Sequence, residues 1–191
     1  MRVAGPGVRN VRALFPAAAI WTLIGLHSAP LYALNPDRHI SELTHRSWGA
    51  KDGAPSLPQA LAQTRDGYLW IGSRTGLFRF DGVHFEHFDS FAGVSLPSIP
   101  VSALFAMPDG KLWIGFRQGG ASLMADGRVT NYGTAEGLPA GYVRGFARDG
   151  QGTTWVATDG GLARLVADRW HRVGMEWGYP SRSAQAVLVD H

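Results

Sequence analysis

The sequence predicts an all-β chain, a β-propeller of four-stranded blades that is incomplete, with three blades and the start of a fourth, preceded by a signal peptide. Three observations lead there. A Trp-centred segment recurs at spacings of 43 and 42 residues; each copy is flanked by short apolar runs joined by Asp- and Gly-bearing turns; and the first 33 residues have the layout of an export leader. Of the 191 residues 45% are apolar and 11% aromatic, with seven Trp, so the body is neither disordered nor collagen-like. No apolar run reaches the roughly 18 residues of a membrane span. The absence of Cys excludes disulfide frameworks, Cys-based zinc sites and a thiol nucleophile.

The leader comes first. Arg2, Arg9 and Arg12 precede the apolar run Ala13 to Leu26, which is followed by His27-Ser28-Ala29-Pro30 and Leu31-Tyr32-Ala33. A basic stretch, a short apolar run and a small, polar exit are the parts of a secretory signal, here assigned to residues 1–33. A cut after Ala33 would put Leu31 where a small residue is normally wanted, so the cleavage site is not defined. These three Arg are also the whole surplus of 18 Lys+Arg over 15 Asp+Glu, because no acid precedes Ala33. The body is formally neutral, which argues against nucleic acid as a partner of this region.

The repeat dictates the rest. Asp66-Gly67-Tyr68-Leu69-Trp70-Ile71-Gly72 is matched by Asp109-Gly110-Lys111-Leu112-Trp113-Ile114-Gly115. A third copy, Asp149-Gly150-Gln151-Gly152-Thr153-Thr154-Trp155-Val156-Ala157, reads as carrying two extra residues ahead of its Trp and ends in Ala. Upstream of each lies an apolar run (Ala60 to Thr64, Val101 to Met107, Val143 to Ala147). Downstream come a Gly-bearing turn, a second run (Gly76 to Phe80, Gly120 to Met124, Gly161 to Val166), a tight turn at Asp81-Gly82, Asp126-Gly127 or Asp168-Arg169, and an aromatic-rich stretch. Asp-Gly between two such runs signals a hairpin, since its turn needs positive φ. The third copy lacks that Gly, so its hairpin should be strained or longer. Four strands per period make a blade whose two faces are covered by neighbours. Trp70, Trp113 and Trp155 are then expected as structural core between blades rather than a stacking ladder for a ligand.

The blades fall at about 57–89, 99–132 and 140–173 within a region spanning 34–191. Ala186 to Val189 resembles another first strand, so a fourth blade is expected to begin at about 183–191. Residues 43–48, followed by Gly49-Ala50-Lys51-Asp52-Gly53, match the tail of a repeat, Asn131 to Gly137, and read as an orphan outer strand. Propellers close with about four to eight blades, so these residues are expected to be the front of a longer product or a truncated gene, poorly folded alone because of their exposed sheet edges.

Gln63-Thr64-Arg65-Asp66-Gly67-Tyr68-Leu69-Trp70-Ile71-Gly72-Ser73, with Gly76-Leu77-Phe78-Arg79-Phe80-Asp81-Gly82 after it, closely resembles the two-component regulator propeller repeats, which open the periplasmic sensor region of bacterial membrane-bound signalling proteins. The resemblance runs from about Leu43 onward. It departs at Gly120-Ala121-Ser122-Leu123-Met124 and at Ala157. It implies a ligand sensor, for a small molecule or an oligosaccharide, that continues into further blades, a membrane helix and a cytoplasmic histidine kinase or diguanylate cyclase. It also implies a dimeric parent attached to the inner membrane. No kinase or cyclase segment is present, so no enzyme activity is assigned to this chain.

The residues themselves offer little catalysis. His84-x-x-His87 would place two imidazoles on opposite strand faces, and Asp66, Asp81, Asp109, Asp126, Asp149 and Asp168 occupy turns, where they bond the backbone. No catalytic residue, metal ligand or cofactor site is assigned. The candidate ligand contacts are Arg74, Thr75, Arg117, Gln118 and Asp159, in the turns after each Trp strand, which share a face with the loops entering each first strand, including 56–58, 98–100 and 139–142. Two other functions stay open, an exported propeller scaffold for another protein and a propeller lyase. A WD-repeat scaffold is disfavoured because no Gly-His/Trp-Asp frame exists.

Overall fold

The computed structural model describes residues 46–91, 93–96, 100–179 and 182–190. The leader and residues 43–45 of the orphan strand lie outside them. Three four-stranded antiparallel sheets follow one another. Blade 1 comprises β1 (Pro58–Gln63), β2 (Leu69–Ser73), β3 (Gly76–Phe80) and β4 (Phe85–His87). A two-stranded hairpin, β5 (Ser90–Phe91) and β6 (Val94–Ser95), precedes blade 2, which comprises β7 (Val101–Ala106), β8 (Leu112–Phe116), β9 (Ala121–Ala125) and β10 (Arg128–Tyr132). Blade 3 comprises β11 (Val143–Arg148), β12 (Thr154–Thr158), β13 (Gly161–Val166) and β14 (Arg169–Val173). Each sheet runs in chain order from its first strand outward, and the first strands lie against one another, β7 between β1 and β11. This is the radial arrangement of a propeller.

The blade junctions explain the Gly that closes the Trp motif. A Cβ on Gly72 would fall 2.5 Å from Val101 Cγ1, and one on Gly115 would fall 2.8 Å from Val143 Cβ and 3.1 Å from the Phe146 ring. The next blade's first strand therefore packs directly onto bare backbone. Around these contacts stand two apolar clusters. Trp70, Leu77, Val101, Leu112, Ile114 and Met124 join blades 1 and 2; Trp113, Tyr132, Val143, Phe146, Val156 and Trp170 join blades 2 and 3. Trp113 stacks on Phe146 at 5.5 Å and meets Trp170 edge-on at 5.3 Å. Trp70 and Trp113 are buried. Trp155 is only half-buried and meets the exposed Trp177 edge-on at 5.8 Å, because no further blade lies against it among the described residues.

The third copy has no insertion. Thr64, Met107 and Asp149 are the equivalent residues, since their N–H groups donate in the same way to Tyr68, Lys111 and Thr153 carbonyls at 3.1, 2.8 and 3.0 Å. Each stands six residues before its Trp. Gly152, at φ 87°, is thus the counterpart of Gly67 and Gly110 (φ 90° and 87°), and Gln151 rather than Asp149 takes the Asp66 place. Asp149 has a different task. Its Oδ2 accepts the Trp155 indole N–H at 2.8 Å, as Thr64 Oγ1 accepts that of Trp70 at 3.0 Å. Met107 offers no such acceptor, and Trp113 Nε1 is buried without a partner.

The last turn matches its sequence reading in blade 2 and differs from it in blades 1 and 3. Ala125 pairs with Arg128, so blade 2 has the two-residue Asp126-Gly127 turn. In blade 3 Val166 pairs with Arg169, and the turn is Ala167-Asp168, one residue earlier than expected. Both are left-handed, at φ 47° and 58°, so this hairpin is strained rather than longer. In blade 1 Phe80 pairs with Phe85 across a four-residue loop, in which Asp81 Oδ1 accepts the N–H groups of Val83 and His84 at 2.7 Å each.

At the margins, residues 46–48 and 182–190 contain no strand. The connector motif nevertheless repeats. Asp52, Glu136 and Glu176 accept the N–H groups of Gly49, Gly133 and Gly174 at 2.8, 2.7 and 2.9 Å, and the short 3₁₀ turns end at left-handed Gly53, Gly137 and Gly178. Ala184 N donates to Thr158 O at 2.9 Å, which lays the 182–190 segment beside blade 3.

Candidate functional site

Turns after the Trp strands do share a face with the loops entering the first strands. Arg117 N donates to Pro100 O at 2.9 Å in blade 2, and Asp159 N donates to Tyr142 O at 3.0 Å in blade 3. On this face the three turns are built differently. In blades 1 and 3 a buried hydroxyl organises a two-residue turn. Ser73 Oγ donates to Gly76 O and accepts Thr75 N–H, both at 3.1 Å, and Thr158 Oγ1 does the same with Gly161 O and Gly160 N at 3.1 Å each. Phe116 stands there in blade 2, and the turn is one residue longer, with Gly119 and Gly120 both left-handed at φ 93° and 87°.

That extra residue reaches the next blade. A Cβ on Gly119 would fall 3.2 Å from Gly141 O; one on Gly141, 3.1 Å from Asp159 Cβ; one on Gly160, 2.9 Å from Ala140 N. The blade 2 turn thus packs on the loop that enters blade 3, and that loop packs on blade 3's own turn, through close backbone approaches that Gly permits. Every first strand also carries a β-bulge at one place, between Pro58 and Ala60, Val101 and Ala103, and Val143 and Gly145. Bulges re-aim the extra side chain. In blade 2 that residue is Ser102, whose Oγ donates to Gly115 O at 3.2 Å and Val143 O at 2.8 Å. In blade 3 it is Arg144.

The result is a four-residue cluster. Arg144 Nε donates to Asp159 Oδ1 at 2.8 Å, and its Cζ lies 4.2 Å from the centre of the Tyr142 ring. Arg117 Cζ lies 6.0 Å from the same ring. Arg117, Arg144 and Asp159 are exposed and Tyr142 is half-buried. The hydrogen bond that Arg144 donates to Asp159 raises the Arg144 pKa further.

Of the sequence candidates, Arg117 and Asp159 thus meet around Tyr142, while Gln118 is exposed in the same blade 2 turn. Arg74 and Thr75 stand on blade 1, where Thr75 is engaged with Ser73 (3.0 Å between hydroxyl oxygens) and its carbonyl faces His87 Nε2 at 3.1 Å. The other His87 nitrogen is 2.9 Å from Asp89. His84 sits by Asp81 at 3.5 Å. Sequence reasoning missed Arg144 and named Tyr142 only as the end of a loop. The one visible signal was a charge inside the otherwise uncharged run Val143 to Ala147.

A separate open cavity of about 720 Å³ lies at the other end of the blades, lined by Phe105, Phe146, Arg148, Asp149 and Val187 among others. Its polar groups are committed to structure. Arg148 Nε donates to Gly152 O at 3.2 Å, and Asp149 accepts Gln151 N–H and Thr153 N–H at 3.0 and 2.8 Å besides the Trp155 indole.

Comparison with known proteins fits this picture. Residues 137–160 match the family model described as Two component regulator propeller; the matched stretch contains Tyr142, Arg144 and Asp159. No curated protein matches the chain. Among solved structures, the extracellular domain of a hybrid two component system from B. thetaiotaomicron aligns at 22% identity and a TM-score of 0.56, over 66% of this chain and 18% of that one. A streptogramin B lyase aligns at 21% identity and 0.46, over 60% and 39%. The extracellular domain of a one component system from B. thetaiotaomicron aligns at 20% and 0.38, over 62% and 22%. The first likeness shows the propeller fold, of which this chain spans less than a fifth of the neighbour's length.

Proposed function

We propose that this chain is the exported, ligand-sensing part of a bacterial signalling protein, and that the face bearing Arg117, Tyr142, Arg144 and Asp159 takes the ligand, a small molecule or an oligosaccharide. The observation that carries this reading is the repeat match at residues 137–160, which coincides with the stretch where three of the four cluster residues lie. The cluster is suited to binding rather than to proton transfer, because guanidinium groups donate hydrogen bonds without releasing protons at physiological pH. A ligand held by Arg117 of blade 2 and by Tyr142 and Arg144 of blade 3 bridges two blades. Such a ligand favours whichever arrangement of the parent keeps these blades in register, and signalling follows only to the extent that its affinity differs between the two states. Each tenfold difference in affinity between the states corresponds to about 1.4 kcal/mol. The remaining blades and a kinase or cyclase output, in a dimeric parent at the inner membrane, complete the proposal.

A thermal-shift screen of the complete exported region of the parent protein against metabolites and oligosaccharides tests it. The expected hit raises Tm in the parent sequence and loses its effect in the Arg117→Ala/Tyr142→Ala variant. A hit whose effect survives that double substitution places the ligand elsewhere and overturns the assignment of this face.

A further inference from the structure

The cluster between blades 2 and 3 is electrically unbalanced. Two guanidinium groups, Arg117 and Arg144, lie 6.0 and 4.2 Å from one phenol ring, and a single carboxylate, Asp159, answers them by bonding Arg144 at 2.8 Å. Among the described residues Arg117 has no ion-pair partner. One positive charge is left over on this exposed face. The backbone beneath is closely packed, since a Cβ on Gly160 would clash with Ala140 and one on Gly119 or Gly141 would crowd its neighbour. Two departures from the repeat, the longer blade 2 turn and the charged residue in the blade 3 bulge, converge on this spot. Local rules broken at one place mark function more often than accident.

We infer that this cluster is a subsite for an oxyanion group, a carboxylate or a sulfate, carried by the ligand. The inference rests on the reading of this face as the ligand face and names the chemistry it selects. The planar guanidinium fork matches both oxyanions with paired, charge-assisted hydrogen bonds. Asp159 already shows how a carboxylate engages Arg144. The ligand oxyanion takes its place on Arg144 or shares it, Arg117 supplies the second fork, and the Tyr142 ring is the platform between them. Asp159 acts as an internal competitor that sets the affinity low enough for release.

The test uses the purified exported region of the parent protein, with its full set of blades, and three probes at low ionic strength: D-galacturonate, sodium sulfate and the neutral D-galactose. Calorimetry measures affinity, and the Arg Nε–Hε resonances of Arg117 and Arg144 report location. At least one anion is expected to bind and move both resonances, while galactose moves neither; which anion does so distinguishes carboxylate from sulfate. Arg117→Gln is expected to weaken that anion at least tenfold, Arg117→Lys to restore only part of the loss, and Asp159→Asn to strengthen binding several-fold. Failure of both anions to move either resonance overturns the inference. Equal binding of galacturonate and galactose, both lost in Tyr142→Ala, overturns the oxyanion while leaving the ligand face standing. If no probe perturbs this face and a screened ligand still stabilises the Arg117→Ala/Tyr142→Ala variant, the face itself is wrong.

Discussion

Blades 1 and 2 present the same front face to different surroundings. Leu61, Leu69, Ile71, Phe80 and Phe85 of blade 1 stand at the registers of Leu104, Leu112, Ile114, Met124 and Val129 of blade 2. In blade 2 that face closes over Trp70 and Leu77 of blade 1. In blade 1 it is an apolar cleft of about 300 Å³ edged by Trp48, whose ring meets Phe80 at 5.0 Å, and Leu61 is 63% exposed. The difference teaches that a repeat encodes the shape and polarity of each face, whereas burial, and with it stability, comes from what lies opposite. Identical motifs should therefore answer mutation unequally.

The largest contrast is expected at the Trp positions. Trp113, with 1% of its surface exposed, should cost about 3–5 kcal/mol when cut to Ala, and Trp155 less than half as much; denaturant unfolding of the two variants measures the gap, and equal losses would mean that the back face of blade 3 is covered in solution. Next comes the junction glycine. Gly115→Ala drives a methyl into Val143 and should cost about 1–3 kcal/mol by overpacking, while Leu61→Ala on the open face should stay within about 0.5 kcal/mol if nothing covers it. Thr64→Val is expected to cost about 1–2 kcal/mol, since it orphans the Trp70 indole N–H; Met107→Thr, which supplies Trp113 with the missing acceptor at the equivalent place, should be far better tolerated.

In blade 3 the acceptor of the Trp indole is itself acid-dependent, unlike the Thr64 hydroxyl of blade 1. The hydrogen bond from the Trp155 indole, helped by those from Thr153 and Gln151, holds the Asp149 carboxyl below its ordinary value of 3.8. A depressed carboxylate contributes stability that is present above the unfolded-state value and is lost as pH falls through the folded one. Unfolding measured from pH 6 down to the acid limb should thus show Asp149→Asn flattening the decline below about pH 4. The last effect expected is a gain. Ala167→Gly should stabilise the blade 3 hairpin by about 1 kcal/mol by removing the left-handed Ala, and Asp126→Gly at the equivalent place in blade 2 should gain less, because Asp tolerates that conformation better than Ala.

Much of this architecture was legible. The strands, their order and the buried Trp70 and Trp113 follow from apolar runs bounded by Asp-Gly turns, because those signals act over a few residues. Register was the weak point. Asp149-Gly150 imitates Asp66-Gly67 by letter, and only the backbone hydrogen bonds show that Gln151-Gly152 holds the place. The candidate site was half legible: Arg117 and Asp159 stand in turns that repeat arithmetic locates, but nothing in the local sequence marks a β-bulge at Arg144.

By itself the sequence determined the blade, its period, the faces it buries and the turns that face one side, because periodicity and turn chemistry are local and repeat. The tertiary structure alone decided which glycine is indispensable, which Trp keeps an unpaired N–H and which charged groups meet on Tyr142. Those depend on residues that the fold brings together, such as Val101 against Gly72 and Tyr142 against Arg117, 29 and 25 positions apart in the chain, and such contacts exist only once one blade is laid against the next.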